Sequence, residues 1–558
     1  MKRLWRLLLV LSAFSLLAAC DLAKTSKNNF DTSLVKTVQS GKIKGHRDSK
    51  NKALEWLGIP YAQAPVKDLR WKAPQRVKNW KGTRDASKPG KQAIQLSNGK
   101  VTGAEDALNL DVVRPDSKKK KLPVIVYIHG GNNQTGSAQE IKGNSFVNDL
   151  DAVYISVNYR LGALGFNPLQ SLKTGTAEEN SGNFSLLDIA AALDWVKENV
   201  ETFGGDKNNI TLAGFSAGGR DVMASLISPI FKGKFNKAIS FSGGMTLSDE
   251  TASQETFAKA IAPLAVQDGV KANEIEAQAW LQSDSKEVKD YLYKLDAKRL
   301  AGLMGNAGIR MSVFPHLYKD GTVIPKEGFA TKTYNDVPLM LVSGTDEFSM
   351  FAAGDPYFQE DFKSGDLFKD PEKTAEFTYA KKYGGQLYRM SNTIDSTRQM
   401  DGKYQSNIYV GQIYYGDNAE VTPDLTKTLG SFHGIFEPML QKPSNYQDYI
   451  GDYFQTQGGR DMSQAFKTYL KAFLADGNPN QKGLVSWEPW TSNGEVLTID
   501  ATKDKADIKA TSDTQTAQDV LNQMDADTSI SQESKDYLNH NVLNGRWFSQ
   551  PIDEQYGQ

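Results

Sequence analysis

The sequence predicts an α/β protein: a mostly parallel central sheet flanked by helices, with large helical and loop insertions. Several apolar runs are short and nearly unbroken, which marks strands covered on both faces. A segment of helical period lies between two of them, and the runs end in glycine or polar residues where a strand would leave a sheet.

In chain order, residues 1–19 combine a basic start (Lys2, Arg3, Arg6), an apolar stretch too short to span a bilayer comfortably, and small residues, which predicts an export signal. The ending Leu17-Ala18-Ala19-Cys20 resembles the lipobox of bacterial lipoproteins, so cleavage before Cys20 and lipid on that cysteine are expected. Cys20 is the only cysteine, which excludes an internal disulfide even in the oxidising compartment that export implies. Residues 20–34 are polar and aperiodic, as suits a tether. From residue 35 to 558 there is no linker, repeat or low-complexity block, so a single large domain is expected.

The chain is nearly neutral, with 65 basic and 66 acidic residues, and turns mildly acidic once the signal is removed. No basic tract invites nucleic acid or an anionic membrane. The expected attachment is therefore lipid on Cys20, at a periplasmic or cell-surface membrane face, and a monomer is expected.

The strands are Leu122 to Gly131, Asp151 to Arg160, Asn209 to Gly214, Lys237 to Gly244 and Val337 to Gly344. Between the second and third, Leu186, Ile189, Leu193, Val196 and Val200 recur at helical spacing, and Gly204 is placed to end the helix. Residues 354–405 have no clean period and are expected as surface helices and loops beside the site. The tail from Thr502 is polar until Val542, Leu543, Trp547 and Phe548, which predict a segment docked back on the body.

G-F-S-A-G, residues 214–218, places Ser216 between two glycines. By chance roughly one chain in five of this length carries G-x-S-x-G. Context narrows the reading, because the motif follows the strand-like I-T-L-A and precedes Val222, Met223, Leu226 and Ile227, one apolar helix face. A serine at a strand-to-helix turn is held above the sheet edge, where the helix N-terminus favours an oxyanion. A serine that merely caps a helix would fit the same spacing, but it requires nothing elsewhere in the chain. A nucleophile requires more: a second loop of amide donors, a base and an acid. The loop Ile128 to Ser137 leaves a strand end and is glycine-rich, as an oxyanion hole needs.

There are five histidines: His46, His129, His316, His433 and His540. His433, flanked by glycine and lying beyond a candidate acid, gives the order serine, acid, histidine. The acid lies in L-M-L-V-S-G-T-D-E-F, where Asp346 and Glu347 are neighbours and only one can face the imidazole.

Together with G-I-P-Y-A-Q-A-P, E-D-A-L-N-L-D-V, S-V-N-Y-R-L-G-A-L-G-F, F-H-G-I-F-E-P and F-L-A-D-G-N-P-N, these segments resemble the type-B carboxylesterase family of the α/β-hydrolase fold, from about Val35 to Thr498. The resemblance implies that Ser216 is the nucleophile, Glu347 the acid, His433 the base and Ser242 a supporting hydroxyl. It also implies an oxyanion hole formed by the N–H groups of Gly131, Asn132 and Ala217, and a structural Arg70–Glu105 pair. The function implied is hydrolysis of small to medium carboxylic esters, aryl esters included, through an acyl-enzyme, with no metal or organic cofactor. The same triad would serve an acyltransferase or amidase, and the scaffold also supports silent adhesion proteins, which characteristically lack a triad residue.

Several positions depart from the family pattern. Asn132 replaces a glycine and Asn133 an aromatic residue; asparagine tolerates positive φ, so the loop is expected to keep its shape, with a side-chain amide that could polarise the acyl site. Ala107 replaces a disulfide cysteine. Phe215 replaces an acidic residue, removing a charge that would favour protonated His433. Activity is therefore expected to persist to lower pH than in relatives with the carboxylate. Phe215→Glu should move the acidic limb of the pH–rate curve upward; an unmoved limb would contradict this. The stretch A-I-Q-L-S-N-G-K-V-T-G-A-E-D contains no aromatic residue, which argues against choline esters as dedicated substrates.

Overall fold

The computed structural model describes residues 29–305 and 307–557. The expected export signal and Cys20 lie outside the described residues.

Eleven strands form one sheet. In chain order they are β1 (His46–Asp48), β2 (Ala53–Pro60), β3 (Asn109–Pro115), β4 (Leu122–Ile128), β5 (Val153–Val157), β6 (Gly205–Phe215), β7 (Lys237–Phe241), β8 (Leu339–Gly344), β9 (Ile408–Ile413), β10 (Glu495–Ala501) and β11 (Ala506–Ser512). Their spatial order is β11-β10-β9-β8-β7-β6-β4-β5-β3-β2-β1. From β5 to β10 every pairing is parallel, and antiparallel pairings are confined to the two flanks.

The unbroken apolar runs follow from this layering. In β4, Val124, Val126 and Ile128 enter one core and Ile125 and Tyr127 the other. On the first face lie α1 (Phe184–Asn199) and α2 (Ala217–Ile227); on the second lies α4 (Gln457–Asp476), so both faces of the strand are dry. As the spacing predicts, α1 runs into a short 3₁₀ turn that ends at Gly204, φ 77°.

Two expectations need correction. The segment 354–405, expected at the surface, contains α3 (Pro371–Asn392), which buries Phe377, Tyr379, Ala380, Leu387 and Tyr388. Gly384 and Gly385 lie where a β-carbon would meet Phe348 at 2.4 Å and the Thr345 carbonyl oxygen at 2.9 Å, so α3 sits directly against the loop after β8. The polar tail also supplies a sheet strand, β11, whose residues are mostly half-buried or exposed, as an edge position permits. Beyond it, Val542, Leu543 and Phe548 are buried, as their apolar character predicts.

Candidate active site

The parallel strands deliver their carboxyl ends to one rim, where crevices form in such sheets. β6 ends at Phe215 and α2 begins at Ala217, leaving Ser216 as the whole turn, with φ 57° and ψ −118°. That region is unfavourable for a residue with a β-carbon, so the surroundings must impose it. The Ser216 N–H donates to the Phe241 carbonyl on β7 at 2.9 Å, and its carbonyl accepts from the Arg220 N–H at 3.0 Å. The flanking glycines serve close approach. A β-carbon on Gly214 would lie 2.2 Å from the Gly218 oxygen, and one on Gly218 would lie 2.1 Å from the Ile128 oxygen.

Glu347 follows β8 and has no solvent exposure. One carboxylate oxygen accepts from Ser242 Oγ at 2.6 Å, Ser343 Oγ at 2.9 Å and the Gly344 N–H at 2.7 Å. The other meets His433 Nδ1 at 2.5 Å. Asp346 turns away to Lys381, 3.5 Å distant, and neighbours Asp417, which burial pushes up to about 8. Thus Glu347, not Asp346, faces the imidazole. His433 is itself packed against Phe215, Phe351 and Tyr388, at ring separations of 4.8, 5.2 and 5.5 Å. Its Nε2 is buried with no partner among the described residues.

After β4 the chain turns through Gly131, Asn132 and Asn133 with φ of 101°, 57° and 56°, so asparagine does tolerate the left-handed turn. Among the described residues, the N–H groups of Gly131, Asn132 and Ala217 donate to no acceptor. The amide of Asn133, however, does not line the acyl site. It is fully buried, donates to Asp221 on α2 at 3.0 Å and accepts from Tyr159 at 3.1 Å, so it ties the loop after β4 to α2. Burial pushes the Asp221 carboxyl up to about 7. Asn132 donates instead to Gln134 within its own loop. Arg70 and Glu105 form a bidentate pair at 2.7 and 2.9 Å.

The remaining histidines sit apart from Glu347. His129 is held neutral by burial, its pKa lowered to about 4, and stacks on Tyr159. His316 accepts from Arg220, His46 pairs with Glu55, and His540 bonds backbone carbonyls near the C-terminus. Residues beside the imidazole that sequence reasoning missed are Tyr388 and, through it, Trp547; their only signal is apolar character in segments without a readable period.

The family model described as the carboxylesterase family matches residues 31–390. The para-nitrobenzyl esterase of Bacillus subtilis (strain 168) is 32% identical over 489 residues, covering 84% of this chain and 95% of that one. The chain belongs to the carboxylesterase family. An acylcarnitine hydrolase of Rattus norvegicus is 31% identical, covering 84% of this chain and 88% of its own. Among solved structures, one titled a thermophilic PNB esterase superposes with a TM-score of 0.67 at 24% identity, covering 87% of this chain and 99% of that one. The fold is that of the α/β-hydrolases. As a carboxylesterase, the protein is a carboxylic ester hydrolase.

Proposed function

We propose that this carboxylesterase works through an acyl-enzyme on Ser216, with His433 as base and Glu347 as its orienting acid. The observation that carries the proposal is the wiring of Glu347. Three donors occupy one oxygen, leaving the other for His433 Nδ1–H, so the base lone pair lies on the unpartnered Nε2. The strained turn presents the Ser216 hydroxyl at the same rim.

Ser216 Oγ attacks the ester carbonyl carbon as its proton passes to His433 Nε2. The oxyanion is received by the N–H groups of Gly131, Asn132 and Ala217, which need no reorganisation because no protein acceptor competes for them. On collapse the imidazolium gives its proton to the departing alcohol. Water then enters, loses a proton to Nε2 and releases the acid, regenerating Ser216. Ser242 acts through Glu347 and is a positioning residue.

Phe215, Phe351 and Tyr388 around the imidazole favour substrates with some apolar surface, aryl esters included. From the basic, apolar and small-residue pattern of residues 1–20 we also propose export and a lipid on Cys20.

A fluorophosphonate probe tests the mechanism. The folded protein should take up one label, found by mass spectrometry on the peptide containing Ser216, and lose aryl-ester turnover in step. A labelled residue elsewhere, or no label with turnover intact, would overturn the assignment; no label and no turnover would instead favour a silent binding protein.

A further inference from the structure

Arg220 lies one helical turn beyond Ser216 on α2 and is 1% exposed. Arg220 forms no ion pair among the described residues. Its neighbour Asp221 is engaged by Asn133. The guanidinium stacks on the Trp547 indole at 3.4 Å, donates to His316 Nε2 at 2.6 Å and touches the Met311 sulfur at 3.6 Å. His316 Nδ1 lies 2.8 Å from the Phe314 carbonyl, so it carries the proton there and offers a lone pair to Arg220, remaining neutral. The positive charge therefore meets one indole face and one imidazole, and the buried Asp221 carboxylate beside it draws on the charge without forming an ion pair.

Three buried polar atoms in this cluster have no partner among the described residues: Arg220 Nε, Tyr388 OH and Trp547 Nε1. Two of these donate only, and the third can donate. Tyr388 stacks on His433 at 5.5 Å and meets Trp547 edge-on at 6.3 Å, so its ring links the cluster to the imidazole. Proteins rarely leave buried donors unmatched, and a cluster of them around a cation without an ion pair calls for an anionic acceptor.

We propose that Arg220, with Tyr388 and Trp547, forms an anion subsite that selects esters carrying a carboxylate on the acyl chain, such as half-esters of dicarboxylic acids. The acyl side is favoured because the alcohol must leave and water must enter during turnover, whereas this cluster is enclosed. The group that stays bonded to Ser216 is the one that can occupy it. This inference rests on the acyl-enzyme reading, which it makes more specific.

Hydrolysis followed by pH-stat provides the test. Monomethyl adipate should show a kcat/KM at least about tenfold above that of methyl hexanoate, the size expected of a buried charge-assisted contact. Arg220→Met should lower that ratio by at least about tenfold, and Arg220→Lys should restore part of it. Equal rates for the two esters in the unmodified protein, or a ratio unchanged in Arg220→Met, would overturn the subsite. A preference confined to 6-acetoxyhexanoate over hexyl acetate would overturn its acyl-side placement. Should Arg220→Met not fold, competition in the unmodified protein decides: adipate should inhibit methyl hexanoate hydrolysis at least about tenfold more strongly than hexanoate, and equal inhibition would refute the subsite. If neither ester turns over, the acyl-enzyme reading fails separately. Calorimetric binding of adipate, at least about tenfold tighter than that of hexanoate, would then sustain the subsite alone, and no binding or equal binding would end it.

Discussion

Ser216→Ala is expected to lower kcat/KM for a chromogenic short-chain aryl ester by about four orders of magnitude or more. The fold should persist. Alanine keeps the β-carbon, so it inherits the same strained turn at φ 57°, and the restraints holding that turn are main-chain bonds to Phe241 and Arg220. What disappears is the only hydroxyl at the junction of β6 and α2, and no water placed by His433 offers the same proximity. Residual turnover over the uncatalysed rate would report the amide donors of Gly131, Asn132 and Ala217 by themselves. Steady-state rates alongside a thermal melt check this, and a variant with near-normal turnover would remove Ser216 from the mechanism.

The second large effect is expected from Glu347→Gln, a loss of about 10⁴-fold in kcat at neutral pH. The reason lies in the asymmetry of the Glu347 contacts. Ser242, Ser343 and Gly344 all donate to one oxygen, so a glutamine will turn its carbonyl toward them and its NH₂ toward His433 Nδ1. That amide can only donate, which moves the ring proton to Nε2 and removes the lone pair needed to accept from Ser216. Side-chain volume is conserved, so loss of packing cannot explain the defect. Glu347→Asp separates charge from reach: it restores the acceptor while shortening it, and an intermediate rate is expected. A Glu347→Gln enzyme retaining more than about a tenth of parental kcat would show that the carboxylate does not set the tautomer.

Much of this site was legible in one dimension because its chemistry uses rare residue types at turn positions. With five histidines in the chain, order along the sequence could single out His433. Glycines around Ser216 marked a tight turn, although what they provide is room for α2 to approach β4. The choice between Asp346 and Glu347 was not readable from alternation, and only the resemblance favoured Glu347. In space it is settled by Lys381 and Asp417 on one side and by His433 on the other.

The less legible parts share a physical cause. α3 is mixed in composition because it packs against both the loop after β8 and the C-terminal segment, so no single apolar stripe betrays its period. Asn133 reads as a polar residue near the acyl site, but its direction depends on where Asp221 and Tyr159 lie, and those come from distant segments. Arg220 follows Ser216 by four residues and carries no local sign of being buried or without an ion pair.

By itself the sequence determined the strand–helix alternation, the turn that isolates Ser216 and the order of the three groups proposed to react, because hydrophobic period and glycine placement act over a few residues. Only the tertiary structure decided which carboxylate meets the imidazole, which amide faces inward, and that a buried guanidinium has no ion pair. Those outcomes depend on groups 80 or more positions apart meeting in a dry interior, such as Glu347 with His433, 86 positions away, and Arg220 with His316, 96 positions away. There an unmatched donor or charge is costly, and pairing is set by whatever the fold brings within reach.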